Sequence, residues 1–307
     1  MRVGRGAAAV ALAATVLTAT ACGAPSPGGA GDRATAAPDQ AGKAAPEPDG
    51  RPLALVYRGP AACDGCPEAA HDMLEHDGFA VRYIGPDEQD RFGPNALSGV
   101  ALYVQPGGTN GQEVTTAWRL MQRDPGFSPE LVRAYVRGGG HYLGLCMGGY
   151  LAGRGPGYGL LPGDSGQYIS SDGATVTDEQ DHLVDVSWRG QPQRMYFQDG
   201  PYFDVHGPDA DVLARYTNNR AAAVVASYGA GRVAVSGPHP EAPSEWYRDY
   251  DLSDESQTGL GLGEDLLHTL MGTPAAPAAA PTSPTPTTPA SAPTPASPAA
   301  PAAAPTS

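Results

Sequence analysis

The central part of the chain is written as short apolar runs, amphipathic stretches and glycine stops in regular alternation. Leu53-Ala54-Leu55-Val56-Tyr57 is continuous apolar sequence after Pro52, the pattern of a strand buried on both faces. Pro67 to Asp77 opens on proline, gathers Ala69, Ala70, Met73 and Leu74 on one side and stops at Gly78, which predicts a helix. Phe79 to Ile84 alternates like a second strand. Val100 to Gln105 reads as a third, ending on Pro106-Gly107-Gly108. Glu113 to Gln122 and Ser128 to Arg137 have helical periodicity, and Ser128-Pro129-Glu130 is a good helix start. Gly138-Gly139-Gly140 ends the second of these, His141 to Leu145 is a fourth strand, and Cys146 follows it at once. Strands and helices at this spacing predict an α/β fold, a parallel sheet with helices on both faces.

After Gly153 the pattern changes. Leu183 to Trp188, Asp211 to Tyr216, Ala221 to Tyr228 and Gly231 to Ser236 are strand-like runs with short connections. Tyr228-Gly229-Ala230-Gly231 is a tight hairpin signal. The second half is therefore expected to add an antiparallel extension. Gly259 to Gly263 reads as a loop, and Glu264 to Met271 as a closing helix.

The two ends have no such pattern. Residues 1–22 read as an export signal: Arg2 and Arg5 precede an apolar run of about 15 residues, short for a bilayer span. The run closes on Leu17-Thr18-Ala19-Thr20-Ala21-Cys22. Small residues before a cysteine resemble a bacterial lipobox, with Ala19 where leucine is more usual. The resemblance implies a lipid anchor on Cys22; ordinary secretion with cleavage near Ala21 is the alternative. Residues 23–50, rich in Ala, Gly, Pro and Asp, read as a flexible linker, and residues 273–307, built of Thr, Pro, Ala and Ser, as a disordered tail. The domain is expected to span 51–272, a size that suits one α/β unit.

Composition narrows the function. The chain of 307 residues carries 33 acidic against 19 basic side chains, a formal charge of −14. Nucleic acid is a poor partner for it, because phosphate binding needs clustered Lys and Arg. Lys43 is the only lysine, so the domain has neither a lysine nucleophile nor a P-loop lysine. The histidines outside the segment discussed next have no ligand spacing, so no metal or other cofactor is expected.

Gly144-Leu145-Cys146-Met147-Gly148-Gly149 places a nucleophilic residue type at a strand-to-helix turn, with glycines two before and two after. This is the arrangement of a nucleophile elbow, in which a sharp turn thrusts the side chain out at the carboxyl end of a sheet. Gly237-Pro238-His239-Pro240-Glu241 follows a strand. His239 can serve Cys146 as base, and Glu241 can orient the imidazole. Backbone N–H groups at Gly107, Gly108 and Met147 can supply an oxyanion hole.

The three motifs together resemble the class I glutamine-amidotransferase-like superfamily. Within it, Arg137 to Tyr150, with Val56-Tyr57 and Pro106-Gly107-Gly108, is similar to the N-terminal domain of some biotin-protein ligases. The resemblance covers most of 51–272. It implies a flavodoxin-like fold, a Cys146–His239–Glu241 triad and a small-molecule or peptide amide as substrate. The amidotransferase pattern has glutamine four residues after the cysteine, where this chain has Tyr150. A non-catalytic ligand-binding or envelope-interaction lipoprotein with the same fold is the alternative reading.

Cys63-Asp64-Gly65-Cys66 has redox-type spacing. In an exported protein it reads as a local disulfide, which leaves Cys146 the odd thiol; a redox pair or half a metal site are the other readings. The aromatic cluster from Tyr196 to Phe203 and the pair Trp246-Tyr247 each fit either core or a substrate wall.

Overall fold

The computed structural model describes residues 49–109, 112–252 and 259–272. The readings of residues 1–22, 23–48 and 273–307 lie outside them. The first half supplies strands β1 (Leu53–Tyr57), β2 (Ala80–Ile84), β3 (Leu102–Gln105) and β4 (His141–Leu145). Helices α1 (Cys66–His76), α2 (Val114–Met121), α3 (Pro129–Arg137) and α4 (Met147–Ala152) lie between and after them. The second half supplies β5 (Gly163–Gln167), β6 (His182–Trp188), β7 (Gln191–Phe197), β8 (Pro201–Val205), β9 (Ala210–Tyr216), β10 (Ala221–Tyr228) and β11 (Gly231–Ser236). Helices α5 (Ser244–Asp249) and α6 (Leu260–Met271) close the domain.

All the strands belong to one sheet, whose main path is β2-β1-β3-β4-β11-β10-β9-β6-β7. From β2 to β11 every neighbour is parallel, and from β11 onward every neighbour is antiparallel. The fold is thus a flavodoxin-like parallel sheet with an antiparallel extension. β5 and β8 form a side branch attached to β10 through Ala221 and Phe203. Every residue of β1 and β3 is buried, as strands covered on both faces must be. On one face Ala117, Met121, Val132 and Val136 pack α2 and α3 against the sheet. On the other, Met73 and Leu74 of α1 meet Leu266, Leu267 and Leu270 of α6.

The parallel register sets the site. Ser236 at the end of β11 pairs with Leu145 at the end of β4, and Gln105 of β3 pairs with Gly144. Three chain segments, after β3, β4 and β11, therefore leave the sheet side by side at its carboxyl edge. This is where open parallel sheets place their ligands.

Helix α6 corrects one reading. It begins at Leu260, so most of the segment expected to be a loop is helical. The glycines weaken the local signal, but one of them lies against a core side chain: a Cβ on Gly263 would stand 2.5 Å from Met73 Sδ in α1, which would have to shift. Gly261 faces open space instead. Replacing Gly261 by alanine should raise unfolding free energy by about 0.4–1 kcal/mol in urea titration, the usual gain where alanine fits the glycine's backbone conformation. Gly263→Ala should gain less than Gly261→Ala or lose stability, because the Met73 thioether must move aside for the added methyl.

Candidate active site

Cys146 is the first residue off β4 and caps α4 with φ 50° and ψ −105°. A non-glycine residue in the left-handed region is strained, and here the surrounding chain enforces it. A Cβ on Gly148 would collide with the backbone carbonyl of Gln105, and one on Gly144 would collide with the carbonyl of Gly148. Tyr142 Oη donates to that same Gly148 carbonyl at 2.7 Å. The elbow is pinned to β11 by the Cys146 N–H, which donates to Ser236 O at 2.8 Å. Strand, turn and helix start are thus packed backbone to backbone.

His239 arrives from the parallel neighbour. Ser236 Oγ donates to Pro238 O across the turn after β11, and the His239 N–H donates to Tyr196 O at 2.9 Å. The imidazole Nδ1 lies 2.9 Å from Glu241 Oε1. The His239 side chain is 4% exposed and the Glu241 side chain fully enclosed. Burial alone would push the imidazolium pKa down. The Glu241 carboxylate and the Cys146 sulfur outweigh burial and hold it up to about 10. With Nδ1 committed to Glu241, Nε2 is the ring atom that faces the sulfur. It has no hydrogen-bond partner of regular geometry among the described residues. The thiol itself lies 3.5 Å from Gln198 O, to which it can donate.

Aromatic rings fix the imidazole edge-on. Tyr196 and Trp246 each lie 5.6 Å from it, at 82° and 75°. Tyr247 Oη accepts the Tyr196 N–H at 3.3 Å. The Tyr196 hydroxyl donates to Asp181, and Gln198 Nε2 donates to the same carboxylate at 3.0 Å. The end of β7 therefore bridges the site: one residue receives the His239 amide, and two residues on another receives the Cys146 thiol. Asp181 clamps this bridge, a role that no local motif signals.

The oxyanion residues divide. Gly108 lines a pocket of about 260 Å³ together with Cys146 and Met147, and it packs against the Met147 side chain. The Met147 N–H is the first of α4 and has no acceptor within the helix. Gly107 is buried one step back, outside the pocket lining. Its carbonyl accepts from the Cys63 N–H at 3.0 Å, and a Cβ there would stand 2.9 Å from Cys66 Sγ. Cys63 and Cys66 are joined in a disulfide with Cα atoms 5.4 Å apart. This cystine loop therefore buttresses the back of the oxyanion loop.

Tyr150 is buried in the pocket wall, its hydroxyl donating to Asp199 O at 3.1 Å. It ties α4 to the turn between β7 and β8, so its hydroxyl has a fixed structural bond. The wall also includes Gln112, Glu113, Val114, Gln167, Glu179 and Asp199.

No protein-family model and no curated protein matches the chain. Among solved structures the chain is similar to PurLQS from Thermotoga maritima, with TM-score 0.50 and 21% identity over 72% of this chain and 99% of that one. The shared fold is the flavodoxin-like α/β sheet with its antiparallel extension. A structure described as a glutamine amidotransferase aligns with TM-score 0.49 and 19% identity, over 71% of this chain and 99% of that one. At 21% identity the likeness to PurLQS speaks of fold alone.

The raised imidazolium makes a signed prediction. Stabilisation from a group whose folded pKa exceeds its unfolded value, about 6.5 for histidine, is complete below that value and is lost as pH rises toward the folded one. Urea midpoints should therefore fall between pH 6 and pH 9 through this contact. Glu241→Gln should lower the midpoint at pH 6 and flatten that fall.

Proposed function

We propose that the protein is a cysteine hydrolase or amidase that cleaves a carboxamide or similar acyl group outside the cytoplasm. The observation that carries the reading is Cys146 held at positive φ on the elbow beside a buried His239–Glu241 pair 2.9 Å apart. A structural cysteine needs neither the strained turn nor a histidine whose outer nitrogen is left for it.

The chemistry follows from these groups. The Cys146 thiol passes its proton to His239, its sulfur attacks the carbonyl carbon, and the C=O electron pair moves onto oxygen. The Gly108 and Met147 N–H groups hold that oxyanion. Collapse of the intermediate breaks the C–N bond, and the departing nitrogen takes a proton from His239. Water then attacks the thioester and gives a proton to His239, and the acid leaves with Cys146 released. Glu241 keeps one imidazole face fixed throughout. The pocket fits a small acyl group or the end of a chain, and Tyr150 in place of glutamine argues for an acyl donor other than glutamine.

The signal-like segment 1–22 and Cys22 support a lipid-anchored, extracytoplasmic protein, with 23–50 as its tether. The similarity of Arg137 to Tyr150 to the N-terminal domain of some biotin-protein ligases supports a relation to that branch of the superfamily.

A panel of primary amides assayed by ammonia release tests the reading. Cys146→Ala should lower kcat/KM on any amide the protein cleaves by roughly three orders of magnitude or more. It should also abolish a thioester adduct visible by intact-mass spectrometry after acid quench. Turnover that survives in Cys146→Ala would contradict the assignment.

A further inference from the structure

The pocket above Cys146 has a one-sided charge. Among the described residues its wall carries three carboxylates, Glu113, Glu179 and Asp199, and no lysine, arginine or histidine. Two of its acceptor atoms, Asp199 Oδ1 and Gln112 Oε1, are buried without a hydrogen-bond partner among the described residues. A buried acceptor left unpaired costs free energy that an incoming donor recovers. His239, 3% exposed, is coupled to the Cys146 sulfur that forms part of the same lining. The nucleophile and the unpaired acceptors thus share one cavity.

Asp199 is the centre of the arrangement. It stands at φ 45° in the turn after β7, a conformation that aspartate tolerates better than most residues. Gln167 Nε2 donates to its Oδ2 at 3.1 Å, and its backbone carbonyl receives Tyr150 Oη. The backbone is therefore fixed while Oδ1 is left unpaired. Burial raises the Asp199 pKa to about 6, the Gln167 hydrogen bond opposes this, and Glu179 and Glu113 add to it. Desolvation and like charge both burden this carboxylate, and a bound cation would relieve both.

We infer that the acyl donor is an amine-bearing carboxamide, whose ammonium group sits against Asp199, Glu113 and Glu179 while its carbonyl meets Cys146. The inference rests on the amidase reading and deepens it. A donor with a carboxylate close to the scissile amide, as in a free α-amino acid, would face the three acids with no cation in the wall to offset them. A neutral donor could satisfy the two acceptors but would leave the charges uncompensated.

The test reads charge selectivity at Cys146 in the full chain, without needing the natural substrate. Three methanethiosulfonates are compared: the cationic 2-aminoethyl, the neutral methyl and the anionic 2-sulfonatoethyl reagents. Rates are taken from the mass of the Cys146 peptide and divided by the rates for free 2-mercaptoethanol. The cation-to-anion ratio should exceed that of the free thiol by about tenfold or more at low ionic strength. It should fall at least threefold in Asp199→Asn, a substitution suited to positive φ, and in Glu113→Gln, which changes an exposed side chain. A ratio equal to that of the free thiol overturns the inference. So does a raised ratio that both variants leave intact, since the overall charge of the chain would then be its source. The neutral reagent separates the two readings. If it modifies Cys146 rapidly but the charged pair shows no preference, the substrate class fails and the nucleophile stands. If it leaves Cys146 unmodified, the nucleophile reading fails and this inference falls with it.

Discussion

The backbone contact between α4 and β3 is the constraint on which the site depends. Gly148 lies so close to the Gln105 carbonyl that no side chain fits between them. This forces the turn at Cys146 into a left-handed conformation and lifts the sulfur to the edge of the sheet. Because β3, β4 and β11 run parallel and in register, the oxyanion loop and His239 emerge beside it. Strain at one residue is thus offset by packing across three strands, which is how a rigid scaffold holds a reactive group.

The antiparallel half completes the site. The end of β7 supplies the carbonyls that receive the His239 amide and the Cys146 thiol, and Asp181 holds its side chains. The β5–β8 branch brings Pro201 and Phe203 over Gly149, where an added Cβ would stand 3.0 Å from the phenyl ring. The cystine loop props Gly107 from the opposite side. The site lies between two kinds of sheet, with nucleophile and oxyanion donors from the parallel part and alignment from the antiparallel part.

What the sequence made legible was local. Strand β1 could be read because full burial writes a continuous apolar run, and the elbow because its glycines are spaced for backbone contact. His239 and Glu241 were found because two residues on one turn can share a hydrogen bond. Strand β5, Gly-Asp-Ser-Gly-Gln, has no apolar pattern and exists through its register with Pro201–Val205. Asp181 and Glu179 come from the connection before β6, Glu113 from the start of α2 and Asp199 from the turn after β7, and only the folded sheet gathers them. The start of α6 was hidden because glycine opposes helix by propensity, while the contact between Gly263 and Met73 that selects it is tertiary.

The central claim is that Cys146 and His239 form one electrostatically coupled unit buttressed by Glu241. The most direct measurement is the pH titration of the His239 ring shifts by NMR, in the wild-type chain and in Cys146→Ala. The account predicts an imidazolium that persists well above neutral pH in the wild type and is lost at distinctly lower pH without the sulfur. A His239 that is already neutral at pH 7, or that titrates identically in both proteins, would contradict it.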